Sequence, residues 1–136
     1  MIEVENIRVL IVEDQESMQE LLRHGLTGVG FRHIMGRKSV PTAIAVLEAE
    51  DIDVVVCDFN LGTGTGIELL DFIRGHDKID RMPFIMVTAH GDEAVVKAAI
   101  KGGVNGFALK PVSAEALKKK IMQAIVSRGG QSSRRP

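Results

Sequence analysis

Short, wholly apolar runs alternate along this chain with stretches in which apolar residues return every three or four positions. Ile7 to Val12 is aliphatic and β-branched and predicts a strand. From Gln15 to Val29, Met18, Leu21, Leu22, Leu26 and Val29 recur at helical spacing between charges, and Gly28 and Gly30 stop that helix. Phe31 to Met35 predicts a short second strand. Ser39 to Glu48 predicts a helix, with Ser39 as its cap and Pro41 in its first turn. Val54 to Cys57 is a third strand, and Thr65-Gly66-Ile67-Glu68 is a capping box opening a helix that carries Leu69, Leu70 and Ile73. Phe84 to Val87 follows Pro83 as a fourth strand. Asp92 and Glu93 suit the first turn of a helix that continues through Val95, Val96, Ala99 and Ile100 to Gly102-Gly103. Gly106 to Leu109 is a fifth strand. Ser113 to Val126 is a last helix, with Leu117, Ile121, Ala124 and Ile125 facing inward.

Five strands alternating with five helices in 136 residues imply a single (βα)5 domain. The strands read as continuous apolar runs because both faces of a parallel sheet are covered. The expected fold is therefore three-layered and doubly wound, in the flavodoxin-like manner, with right-handed crossovers. It spans residues 1–127. Residues 128–136, RGGQSSRRP, contain no core-forming side chains and predict a flexible basic tail.

Composition removes several functions. The chain has net charge −1, and its last nine residues hold three arginines and no acid, so the body carries −4. An acidic body with 4% aromatics and neither Trp nor Tyr suits neither nucleic acid nor an anionic membrane surface. One cysteine, Cys57, permits no internal disulfide and no cysteine-based metal centre, and it sits in a core strand. No apolar stretch approaches the ~20 residues of a membrane span, and the N-terminus has no secretory pattern. These features predict a cytoplasmic protein without membrane insertion.

The chemistry collects at strand ends. Glu13-Asp14 follows the first strand, Asp58 the third, Thr88 the fourth and Lys110-Pro111 the fifth. In a parallel sheet these residues meet at one edge, where such folds bind ligands. Three carboxylates there repel one another unless a cation neutralises them, and an all-oxygen set calls for a hard ion, Mg²⁺ or Mn²⁺ in its place. An Asp beside a hydroxyl and an ammonium suits phosphoryl chemistry. Asp58 is then the nucleophile, Lys110 neutralises charge on the phosphoryl oxygens, and Thr88 donates a hydrogen bond to one of them.

These residues, in this order, resemble the receiver domains of two-component response regulators, of the single-domain kind seen in chemotaxis and phosphorelays. The likeness covers about residues 6 to 127. It rests on Glu13-Asp14, Asp58, Gly66, Thr88 thirty residues after Asp58, Lys110-Pro111 fifty-two after it, and Phe107 three before the lysine. The resemblance implies that Asp58 is phosphorylated by a sensor histidine kinase or a phosphotransfer protein. It implies Mg²⁺ held by Glu13, Asp14, Asp58 and the Asn60 carbonyl, and a cis Lys110-Pro111 peptide. Phe107 would be a switch residue, moving inward when Thr88 engages the phosphoryl group. An output protein of unknown identity would read the face built from the helix after Thr88, the strand with Phe107 and the last helix. Many receivers have Pro four residues after the phosphoacceptor. Here it is Gly62, which predicts a looser loop. Asn60 and His90, each two residues past a strand-end site residue, are expected to flank the mouth of the site and govern water access. His24, His33 and His76 receive no role, and Lys118-Lys119-Lys120 reads as a solvated helix face.

The alternative class is a haloacid-dehalogenase-like phosphatase, which shares the strand-end Asp, hydroxyl, Lys and Mg²⁺. That chemistry needs a second Asp two residues after the nucleophile; here the position holds Asn60, which cannot transfer a proton. A flavin-binding module of similar topology fails because Glu13-Asp14 would repel the phosphate. The expectation is a phosphoacceptor signalling domain, not a turnover enzyme.

Overall fold

The computed structural model describes residues 2–127; the basic tail predicted at 128–136 lies outside them. After a 3-10 turn at Val4–Asn6 come β1 (Arg8–Val12), α1 (Glu16–Gly28), β2 (His33–Arg37), α2 (Val40–Ala49) and β3 (Val54–Cys57). They are followed by α3 (Gly66–Arg74), β4 (Phe84–Thr88), α4 (Glu93–Gly102), β5 (Gly106–Leu109) and α5 (Ala114–Ser127). All strand pairs are parallel, in the order β2-β1-β3-β4-β5.

Strand periodicity divides the core in two. Leu10, Val12, Val55, Cys57, Phe84 and Met86 face one side, under α2, α3 and α4. Val9, Ile11, Val54, Val56, Ile85 and Val87 face the other, under α1 and α5. Successive strand residues point to opposite faces, so strands covered on both sides must be apolar at every position. This is the predicted doubly wound architecture. The chain reverses its winding direction between β1 and β3, and a crevice opens beyond the strand ends there.

Element ends follow the predicted signals. Thr65 and Glu68 form the reciprocal capping box at α3, and the Ser39 side chain accepts the Thr42 N–H at α2. Most boundaries fall within a residue of the expected ones, and β2 is the element that is displaced further, running His33–Arg37. β2 begins at His33, two residues later than expected. Phe31, whose apolar ring suggested a strand start, instead closes α1. Gly30 has φ of +111°, its N–H donates to the Thr27 carbonyl, and the Phe31 N–H donates to the Leu26 carbonyl. This is a glycine-terminated helix end with a buried apolar residue behind it, and Phe31 is 1% exposed.

Candidate functional site

Three of the strand-end residues are held by the sheet itself. The Glu13 N–H donates to the Arg37 carbonyl at 2.9 Å, extending the β1–β2 ladder by one residue. The Asp58 N–H donates to the Val12 carbonyl at 3.0 Å, extending β1–β3, and the Lys110 N–H donates to the Thr88 carbonyl at 2.9 Å, extending β4–β5. These side chains are therefore fixed by ladder geometry, and Thr88 is the last residue of β4. The Lys110-Pro111 peptide is cis, as the resemblance implied.

Lys110 ties the acids together. Its Nζ donates to Glu13 Oε1 at 2.5 Å and to Asp58 Oδ2 at 2.9 Å. Glu13 Oε2 accepts the Gln15 N–H, and Asp58 Oδ1 accepts the Asn60 N–H at 3.3 Å. Glu13 is 1% exposed, whereas the Asp58 side chain keeps 11% of its surface and the Lys110 side chain 14%. The electrostatics follow from this difference. Burial pushes the Glu13 carboxyl above the ordinary range and outweighs Lys110 and the Gln15 N–H. Burial pushes Asp58 up too. Hydrogen bonds from Thr88 and Lys110, the Lys110 charge and the Asn60 N–H outweigh it, so Asp58 lies below its usual value. Burial depresses Lys110, but its two carboxylate partners prevail and raise it. The result is an ionised, partly accessible Asp58 oxygen beside a firmly charged ammonium. Cys57 is core: burial, then the Asp58 and Glu13 charges, push its thiol well above the usual range.

Three neighbouring carboxylates call for a neutralising cation. The chain's own Lys110 supplies part of the neutralisation. Among the described residues no three acidic, Cys or His side chains form a ready metal cluster. Mg²⁺, however, usually takes one or two carboxylates, keeps several waters and accepts carbonyl oxygens. Asp14 faces the loop after β3, so close that a Cβ on Gly62 would lie 3.1 Å from its Oδ2. Asn60 sits in a narrow pair with Thr65, held by Leu61 N–H to Gly64 C=O and Gly66 N–H to Phe59 C=O. Those bonds leave the Asn60 carbonyl outside the ladder. Asp14, Asp58 and Asn60 thus offer a hard oxygen set that fits the ion, with Glu13 withdrawn toward Lys110.

The loop that Gly62 was expected to loosen is tied at several points. Leu61 is 2% exposed and plugs the core, Asn60 Oδ1 accepts the Gly62 N–H at 3.0 Å, and the Asn60–Thr65 bridge closes the base. Gly62 itself has φ of +76°, which proline cannot adopt. Glycine here lets a different turn close against Asp14. Gly66 has a separate reason. A Cβ there would lie 2.4 Å from the Asp58 carbonyl oxygen and 3.1 Å from Cys57 Sγ. The Asp58 backbone is held to β1 by its N–H and Cys57 is buried in the core, so Gly66→Ala is expected to cost about 2 kcal/mol in urea denaturation through overpacking. Unchanged stability would show that α3 can back away from the strand end.

Thr88 is fully buried, and its Oγ1 accepts the His90 N–H at 3.2 Å. His90 is exposed, with its ring against the edge of Phe59 at 6.1 Å between centroids. Phe107 is half-buried against the α2–α3–α4 side of the core. Sequence reasoning missed Gln19, which is 7% exposed and donates from Nε2 to the carbonyls of Glu13 and Arg37, each at 3.1 Å. The signal was available. Gln19 stands three and seven residues before Leu22 and Leu26, on the inward face of α1.

The fold and the strand-end acid–hydroxyl–ammonium set define a phosphoryl-switch class of α/β protein. The chain matches the response regulator receiver domain over residues 9–122, and it belongs to that family. It is 33% identical over 115 residues to the chemotaxis protein CheY of Pseudomonas aeruginosa, covering 85% of this chain and 93% of that one. It is 34% identical over 116 residues to CheY-3 of Vibrio cholerae, covering 85% and 89%. Among solved structures, a putative response regulator from Chloroflexus aurantiacus aligns with TM-score 0.83 and 26% identity, over 88% of this chain and 98% of that one. The chemotaxis response regulator CheY4 of Vibrio cholerae shares the fold, with TM-score 0.78 and 24% identity over 87% and 98%. The haloacid-dehalogenase alternative finds no support. Receivers of this family generally bind Mg²⁺ at acidic residues. Among the described residues no helix is long and apolar enough to cross a membrane.

Proposed function

We propose that this chain is a cytoplasmic single-domain response regulator whose Asp58 accepts a phosphoryl group from the phosphohistidine of a sensor kinase or phosphotransfer protein. The observation carrying this reading is Asp58 itself. It is ionised by its surroundings and partly exposed, with Lys110 Nζ 2.9 Å from one oxygen and Thr88 engaging the carboxylate. An Asp58 oxygen attacks phosphorus, the P–N bond breaks, and the electron pair leaves with the donor imidazole. Lys110 then holds the charge of the phosphoryl oxygens, and the Thr88 hydroxyl, released from Asp58, donates to one of them. Asp14, Asp58 and the Asn60 carbonyl would hold Mg²⁺, with Glu13 reaching it through water; the ion supplies further neutralisation of phosphoryl charge. Thr88 and the half-buried Phe107 would convert phosphorylation into a changed surface for an output protein.

Intact-mass measurement after incubation with acetyl phosphate tests the proposal. A gain of one phosphoryl group is expected with Mg²⁺ and not in excess chelator. No gain in either condition would refute the function. Without donor, Mg²⁺ should shift the amides of residues 13, 14 and 58–60, and an absence of shifts would remove the metal site.

Asn60 and His90 are assigned to water access. His90 is exposed, and its ring lies against the edge of Phe59, next in sequence to Asp58. His90→Ala is expected to shorten the phosphorylated lifetime severalfold by admitting water. Asn60→Lys should lengthen it by blocking the approach. Loss of phosphoprotein after donor removal reads both, and identical decay in wild type and both variants would leave neither residue a gating role.

A further inference from the structure

A polar side chain buried in an amphipathic helix must have its donors satisfied, and Gln19 satisfies them on two backbone carbonyls from different strands. One belongs to Arg37, the last residue of β2, and the other to Glu13, the first residue past β1. The Arg37 carbonyl already accepts the Glu13 N–H. The Gln19 carboxamide therefore closes a small ring that fixes both peptide groups of Glu13, the second of which continues into Asp14. Room for it comes from the opposite strand. A Cβ on Gly36 would lie 2.2 Å from Gln19 Oε1 and 2.5 Å from Cδ. One helical turn later, Arg23 makes a similar contact further from the site, donating to the Ile34 carbonyl at 3.1 Å.

We propose that Gln19, seated over Gly36, is a positioning residue for the acidic pair, setting the orientation of the Glu13–Asp14 peptide and so the direction in which the Asp14 carboxylate faces the loop that follows Asp58. Gln19 touches neither phosphoryl group nor ion; it acts through the backbone. The inference rests on the Mg²⁺ reading of Asp14 and Asp58. Groups that orient a ligand from behind commonly change metal affinity by one to two orders of magnitude when removed. Gln19→Met keeps length and apolar volume but donates nothing. It is expected to raise the Mg²⁺ dissociation constant about tenfold, read from amide shifts without any phosphodonor. Arg23→Met, which loses a comparable anchor on the same helix face, should lower the melting temperature while leaving the Mg²⁺ constant near wild type. Gly36→Ala displaces the carboxamide without changing Gln19, and it also presses on the Arg23 guanidinium, whose Nη2 would lie 2.8 Å from the new Cβ; Arg23→Met reads that second effect separately. Gly36→Ala should weaken Mg²⁺ in the same direction, and it serves as the test should Gln19→Met fail to fold. Wild-type Mg²⁺ affinity in Gln19→Met or in Gly36→Ala, or equal weakening in Arg23→Met, overturns the assignment. A wild-type protein that binds no Mg²⁺ overturns the metal reading along with it.

Discussion

Asp58→Asn should gain no phosphoryl mass with acetyl phosphate and Mg²⁺ under conditions that fully modify the wild type. The neutral amide is no nucleophile, and the other carboxylates cannot take its place. Glu13 is 1% exposed, with both oxygens engaged by Lys110 and the Gln15 N–H. Asp14 lies against the Gly62 turn, away from the bonds of Lys110. Asn has the shape of Asp, and Lys110 retains Glu13, so the variant should keep the wild-type circular dichroism spectrum. A phosphoryl gain in this folded variant would mean that a different residue is the acceptor.

Lys110→Met should lose both phosphorylation and stability. Removing one partner of a buried ion pair leaves an uncompensated charge, which commonly costs 3–5 kcal/mol. Here the deserted charges are Glu13 and the partly exposed Asp58, both bound only through the lost ammonium and single backbone N–H groups, apart from the Thr88 hydroxyl on Asp58. Burial already raises the Glu13 pKa, so this carboxyl can take up a proton and limit the penalty. A loss of about 3 kcal/mol in urea denaturation is therefore expected. The Glu13→Gln background should recover part of it, because the buried charge has gone; the double-mutant cycle measures that coupling. A loss below about 1 kcal/mol, the scale of an exposed pair, would show that the bridge contributes little to the fold.

Much of this was legible along the chain, for a local reason. Val9 to Val12, Val54 to Cys57 and Phe84 to Val87 are unbroken apolar runs because both faces of the sheet are covered, and a carboxylate or hydroxyl placed directly after such a run lies at the sheet edge whatever the strand order. Glu13, Asp58, Thr88 and Lys110 could therefore be read together. The capping box at Thr65 and Glu68 depends on contacts three residues apart and was equally visible. β2 was misplaced by two residues because Phe31 is apolar for a different purpose, sealing the end of α1.

Only the assembled sheet decided which of the gathered charges meet. The contact between Lys110 and Glu13 joins residues 97 positions apart, and it exists because the order β2-β1-β3-β4-β5 aligns the ends of β1, β3 and β5 across β4. Nothing local distinguishes Glu13, turned inward to the lysine, from Asp14, turned toward the Gly62 loop, although they are adjacent in the chain. Gln19 required the close approach of α1 to Gly36, and Gly62 required the left-handed turn that brings the loop against Asp14. The elements, the edge where the chemistry gathers and the residue types available there follow from the order of amino acids alone, because apolar periodicity and helix caps are properties of short segments. The tertiary structure alone decided the pairing, burial and ionisation of those residues, because these depend on distances between segments that only the folded sheet sets.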